Sequence, residues 1–152
     1  MISFTIILLI CEGIMLIRLY TASTVNLSGW RFRNDVEIIN FRELQSLKTS
    51  EHPAIVIGSP EELLGLSEDV IEKLRPSGLR IIITDARPGS PMPQFEKSLV
   101  QCILPHLEKR EEQRLLYTFI NNSIDMLLMQ EQSRLTQRDL EELTWIGVLL
   151  SS

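Results

Sequence analysis

The sequence predicts an α/β protein with a parallel sheet and a long C-terminal helix, and two observations support this. Five short apolar runs recur at regular intervals up to Leu104, and signals for helix starts lie between them. From Pro105 onwards the chain has no further proline and only one glycine, so this part reads as one long helix. The alternation of strands with helices is typical of α/β domains with a parallel sheet.

The apolar runs are predicted to be the strands of this sheet. They are Thr5–Cys11, Val36–Ile39, Ala54–Ile57, Arg80–Thr84 and Val100–Leu104. Most of these runs are continuous rather than alternating, as expected for parallel strands that are covered on both faces. The second run carries Glu37 and is therefore predicted to lie at the edge of the sheet.

Helix signals fill the connections between these strands. A helix is predicted over Gly13–Tyr20, and Asn40 begins another that ends near Leu47. The segment Ser59-Pro60-Glu61-Glu62 combines a serine cap, a proline at the first helical position and a glutamate three residues after the cap. Ser59 is therefore predicted to be a helix cap and not a nucleophile. Ser67 begins a further helix that Gly78 stops.

The fourth connection differs from the others. The stretch "DARPGSPMPQFEKS" contains three prolines. Proline removes a backbone donor and clashes inside a helix. A short helix or no helix is therefore predicted between the fourth and fifth strands.

Composition excludes several classes of function. The net charge of −5, with lysines and arginines scattered, argues against a nucleic-acid partner. Cys11 and Cys102 lie in apolar runs, and the histidines stand apart from them, so we expect two reduced thiols, no metal site and no cofactor. No nucleophile–base pair can be recognised, so no catalytic residue is assigned.

The first twenty residues are apolar over about the length of a membrane span. One alternative is therefore a membrane-anchored coiled-coil protein. Glu12 and Arg18 fall inside this segment, where a spanning helix tolerates charge poorly. We expect a strand here, no membrane partner and a cytoplasmic location.

The long helix is predicted to form a second unit, so that residues 1–110 make the α/β domain and residues 111–152 the helix. Its apolar residues fall into two stripes with a change of phase near Gln137, an imperfect coiled-coil pattern. A homodimer through this helix is predicted. The predicted interface residues are Leu116, Ile120, Ile124, Leu127, Leu128, Leu135, Leu140 and Leu143. The alternative is an amphipathic helix that folds back on its own domain.

The spacing of the strand ends resembles that of response-regulator receiver domains, from Met1 to about Phe119. In that family acids close the first strand, the phosphorylated aspartate closes the third, Thr or Ser closes the fourth, and a Lys-Pro pair follows the fifth. Those places fall on Cys11-Glu12, Gly58, Thr84 and Leu104-Pro105. The resemblance implies a flavodoxin-like strand order 2-1-3-4-5.

The chain departs from the family at most of these positions. Gly58 has no carboxylate to accept a phosphoryl group, Cys11 replaces one magnesium-binding acid, and Leu104 stands where the lysine would be. Glu12, Thr84 and Pro105 keep the family's residue types. Thr84 with Asp85 is either a remnant switch or an ordinary strand end with a turn. The pattern implies a pseudo-receiver that is not phosphorylated.

The last residues, "DLEELTWIGVLLSS", resemble the signalling helix that leads into a GAF-type domain in bacterial multidomain proteins. The resemblance implies a two-component-type regulatory domain that dimerises and relays a signal to an output domain in the same chain. That output domain is the part that would be an enzyme. The alternative is a small-molecule sensor or enzyme that uses the crevice at the carboxyl ends of the strands.

Overall fold

The computed structural model describes residues 16–22, 25, 27, 29–32, 35–47 and 51–151, and from residue 134 onwards it describes only the path of the helix. Within these residues the chain forms a five-stranded, all-parallel sheet in the order β2-β1-β3-β4-β5. The strands are β1 Ile17–Thr21, β2 Val36–Asn40, β3 Ala54–Gly58, β4 Leu79–Ala86 and β5 Val100–Pro105. The predicted fold class and strand order are confirmed.

The position of β1 corrects part of the prediction. The helix predicted over Gly13–Tyr20 is wrong from Ile17 onwards, because those residues pair with β2 on one side and β3 on the other. The predicted strand Thr5–Cys11 lies outside the described residues. Arg18 in β1 forms an ion pair with Glu37 on the neighbouring edge strand, with 3.6 Å between its Nε and Glu37 Oε2.

One face of the sheet is covered by helix α3, which runs from Lys109 to Ser151. The buried residues of its first turns pack against Ile55 and Ile57 of β3 and against the first strand. These helix residues are Leu116, Ile120, Ile124 and Leu127. The segment after β1 contributes Val25 and Leu27 to the same core.

The other face is covered by short helices. A 3₁₀ helix spans Phe41–Ser46, α1 spans Pro60–Leu64, and α2 spans Glu68–Leu74 and continues as a 3₁₀ turn over Arg75–Ser77. Their apolar residues pack on Val56, Ile81 and Ile83 of the central strands. The sheet therefore has two separate apolar cores, as the continuous apolar runs predict.

The helix boundaries follow the sequence signals in most places. Ser67 caps α2, and Gly78 ends the following turn with a φ of +106°. The Asn40 side chain accepts a hydrogen bond from Arg42 N at 2.9 Å, and the element that it begins is 3₁₀ rather than α. No helix lies between β4 and β5, where the three prolines predict a short one or none.

The burial of α3 overturns half of the predicted dimer interface. Leu116, Ile120, Ile124 and Leu127 lie against the sheet of their own chain and are at most 3% exposed, so they cannot form a seam with a second copy. Leu128 is partly buried against the same core. The side chains of the other predicted interface residues, Leu135, Leu140 and Leu143, lie outside the described part. The first turns of α3 therefore belong to the α/β domain, beyond the predicted boundary at residue 110.

Candidate functional site

The carboxyl edge of the sheet is where the receiver resemblance places a site. Gly58 ends β3, Thr84 lies near the end of β4, and Leu104 lies at the end of β5, as predicted. Cys11 and Glu12 lie outside the described residues. The strand next to β3 ends instead at Thr21, and Ala22 N donates a hydrogen bond to Ile57 O at 3.1 Å. Neither of these two strands ends in a carboxylate.

Gly58 is buried in apolar surroundings. A Cβ placed on Gly58 would lie 3.4 Å from Leu63 Cδ2 and Cγ and 3.6 Å from the Cβ of Ala22. A longer side chain would have to enter the space between these two apolar groups. Because an unpaired charge in such surroundings is costly, the position is unsuited to an ionised acceptor.

Ser59 is engaged as a helix cap, as predicted. Glu62 N donates to Ser59 Oγ at 3.3 Å, and Ser59 N donates to Glu62 Oε1 at 3.2 Å, which together form a capping box. The Ser59 hydroxyl also donates to Glu62 Oε1 at 2.9 Å. Both polar groups of Ser59 therefore stabilise the start of α1.

The other two positions are buried as well. Thr84 is 2% exposed, and Leu104 belongs to the core cluster beneath α3. A lysine at position 104 would place its aliphatic stem, and its charge, among the apolar side chains that hold the helix on the sheet. Apolar packing therefore occupies both of the places where the receiver resemblance would put an aspartate and a lysine.

A polar cluster lies beside this apolar region, at the ends of β4 and β5. His106 Nδ1 is 2.6 Å from Asp85 Oδ1, and Arg87 Nε donates to the same oxygen at 3.3 Å. Asp85 has a φ of +52°, the left-handed region, and lies where β4 contains one more residue than β5 opposite it. Such a bulge redirects a side chain at a strand end. We name Asp85, Arg87 and His106 the edge cluster.

The charges of the edge cluster are coupled. The hydrogen bond from His106, with a further contribution from Arg87, holds the pKa of Asp85 below its ordinary value although partial burial acts in the opposite direction. His106 Nδ1 also lies 3.1 Å from Arg87 Nη2, so the imidazole ring contacts both the carboxylate and the guanidinium. About half of each side chain is exposed to solvent.

The sequence did not reveal the edge cluster. The sequence pattern joins Asp85 only to Thr84, and His106 stands alone in it. The signal that could have joined them is their position, since Asp85 lies near the end of β4 and His106 directly follows β5, and the family's order makes these two strands neighbours. Their pairing depends on the bulge, which brings Ala86 opposite Pro105 and lets His106 N donate to Ala86 O at 3.3 Å.

The described residues also bear on metal binding and on membrane insertion. No group of three or more His, Cys, Asp or Glu side chains in this part of the chain is arranged to hold a metal ion. Over the same residues, none of the helices combines the length and apolar character that a membrane crossing requires.

Comparison with known proteins gives no match. No family model, no curated protein and no solved structure is similar enough to this chain to count as one. The assignment of function therefore depends on the geometry of the chain itself.

Proposed function

We propose that this chain is a receiver-like regulatory domain that accepts no phosphoryl group, forms a homodimer and relays a conformational signal through α3. The observation that carries the proposal is the continuity of α3, which is a single helix of 43 residues. At about 1.5 Å per residue it is about 65 Å long. Its first part is fixed to the sheet, and a movement of the sheet would therefore be carried along the helix.

The strand ends support the absence of phosphotransfer. Phosphorylation needs a carboxylate nucleophile and acids that hold Mg²⁺. Ala22, Gly58 and Leu104 provide neither at the ends of β1, β3 and β5. The proposal accordingly assigns no catalytic residue and makes the chain a protein–protein interaction module rather than an enzyme.

The resemblance of the last fourteen residues to signalling helices makes an output domain in the same chain the recipient of the signal. A cytoplasmic location fits a domain of this class, and Cys102 is a free thiol in the structure.

Exposure to a small acyl phosphate donor with Mg²⁺ tests the first part of the proposal. We expect no phosphate on the protein, and no change in fluorescence or NMR spectra with a beryllofluoride mimic. A phosphate on this chain that hydroxylamine removes would contradict the proposal. Sedimentation tests the second part, and a monomeric intact chain would show that the domain does not work as a dimer.

The edge cluster supports a second candidate, a sensor of a small anion. The exposed guanidinium of Arg87 offers donors beside His106 at the carboxyl edge, the place where ligands of open α/β sheets bind. Titration of the chain with inorganic phosphate, followed through the His106 ring signals in NMR spectra, tests this candidate. Saturable shifts that Arg87→Gln abolishes would support it, and shifts that are absent or do not saturate would exclude it for this anion.

A further inference from the structure

Helix α3 carries a second apolar stripe on the side that faces away from the sheet. Met126 is 38% exposed and Met129 is 66% exposed. Each lies two positions after a buried residue, Ile124 or Leu127, which is about 200° around the helix. Both line an open groove of about 500 Å³ together with Gln130 and Ser133. The described part of the domain therefore leaves these two methionines accessible.

The spacing of this stripe is a heptad pattern. From Met126 the positions alternate in steps of three and four residues without interruption. The first six positions are Met126, Met129, Ser133, Thr136, Leu140 and Leu143. The next two are Gly147 and Leu150, and none of the eight residues is charged. We name these eight positions the outer seam.

The seam predicted from sequence fits an uncharged heptad pattern less well than the outer seam does. Its members Ile120 and Ile124 are buried against the sheet. Continued from Leu128 and Leu135 in heptad steps, it places Asp139 and Glu142 at seam positions. Charged residues at those positions oppose the packing of two helices. The change of phase near Gln137 disappears in the outer seam, because Leu140 and Leu143 continue the spacing of Met126 and Met129.

We infer that a second copy of this chain covers the outer seam in a parallel, two-stranded coiled coil from Met126 to Leu150. The inference rests on the proposed function, which requires a dimer, and it specifies the surface. A run of uncharged heptad positions is complementary to a copy of itself. In a parallel pair, the heptad places Asp125 of one copy opposite Gln130 of the other, and Asp139 opposite Thr144. No like charges therefore oppose each other in these pairs.

This surface gives the relay a physical route. Ile124 and Leu127 contact the sheet, whereas Met126 and Met129 contact the second copy within the same two turns of α3. A rotation of the helix on its sheet therefore changes the seam directly. Ser133 and Thr136 are small and polar, so the packing of the seam is weak between the methionines and the leucines.

Three variants of the intact chain test which residues of α3 form the contact between two copies. Met129→Glu and Leu140→Glu place a charge in the outer seam, and Leu135→Glu places the same charge outside it as a matched control. We expect sedimentation to show a twofold fall in molar mass for the first two variants and a dimer for Leu135→Glu. Circular dichroism should show that all three variants remain folded.

The outcomes separate this inference from the function on which it rests. A dimeric chain that Leu135→Glu dissociates and Leu140→Glu does not would overturn the outer seam and leave dimerisation standing. An intact chain that sediments as a monomer would overturn both.

The parallel direction has its own test. Met129→Cys should give a covalent dimer under mild oxidation because seam residues of one number lie together in a parallel pair, whereas Glu131→Cys, on the opposite side of the heptad, should not. A dimer in which Met129→Cys fails to cross-link would overturn the parallel arrangement.

Discussion

At the scale of single residues, the carboxyl edge of the sheet is apolar at the positions that the receiver resemblance assigns to phosphorylation. Gly58 lies between Leu63 and Ala22, and Leu104 lies in the core under α3. These replacements are mutually consistent, because a lysine at position 104 would have no carboxylate to pair with. The missing carboxylate acceptor, the missing lysine and the close apolar packing therefore belong together. A single substitution should not be enough to give this edge phosphotransfer chemistry.

Gly58→Asp should therefore fail to accept phosphate and should also destabilise the fold. Its carboxylate would enter the space between Leu63 and Ala22, at a cost of about 1–3 kcal/mol for overpacking alone. Gly58→Ala is the matched control, because its Cβ would make only ordinary contacts and the backbone of Gly58 is not left-handed. Urea unfolding of both variants measures the difference. Equal stability of the two variants would mean that the space accommodates a carboxylate.

The edge cluster predicts a small dependence of stability on pH. Because folding lowers the pKa of Asp85, the contribution of its carboxylate is present above the unfolded pKa of about 3.9 and is lost as the pH falls through the lower folded value. The side chains are exposed, so this contribution is about 0–1 kcal/mol. Asp85→Asn should be less stable than the wild type near neutral pH, and the difference should vanish in strong acid. A difference that persists there would point to the left-handed backbone instead.

At the scale of elements, the sequence specifies β2 to β5 well because their β-branched runs are isolated by Gly, Pro and cap signals. It misplaces β1 because two apolar runs follow each other near the start, and Ile17–Tyr20 fits a helix or a strand by periodicity alone. Pairing with β2 and β3 decides between them. The long helix was predicted, but which of its stripes meets the sheet depends on tertiary contacts that no local pattern contains.

The packing of α3 against the sheet gives a prediction at the scale of elements. A Cβ on Gly78 would lie 2.9 Å from Leu127 Cδ2, closer than real Cβ contacts, and Gly78 has a positive φ. Gly78→Ala should destabilise the protein through backbone strain of about 1–3 kcal/mol and through displacement of the helix. Gly89→Ala is the control, since its φ is +82° but no atom lies within 4 Å of its Cβ position. Thermal unfolding should show the larger loss for Gly78→Ala, and equal losses would mean that Leu127 moves aside freely.

At the scale of the whole molecule, the first turns of α3 are part of the core of the α/β domain. Leu116, Ile120, Ile124 and Leu127 complete the core over β1 and β3, and the remaining turns of α3 continue beyond it. A truncation after Arg114 would expose that face of the sheet. Removal of even one buried leucine or isoleucine costs about 2–5 kcal/mol, and whole domains are stable by only about 5–15 kcal/mol. We therefore expect that this truncated chain does not fold.

A truncation after Ser133 should behave in the opposite way. It keeps the α3 residues that the described part of the chain buries against the sheet, and it removes all of the outer seam beyond its first three positions. Because Met126, Met129 and Ser133 alone supply less than two heptads, they should not hold two copies together, and the product should be a folded monomer. Circular dichroism with sedimentation would check both chains. A folded product of the first truncation would show that α3 is not part of the core, whereas a dimeric product of the second would place the contact between copies on the α/β domain itself.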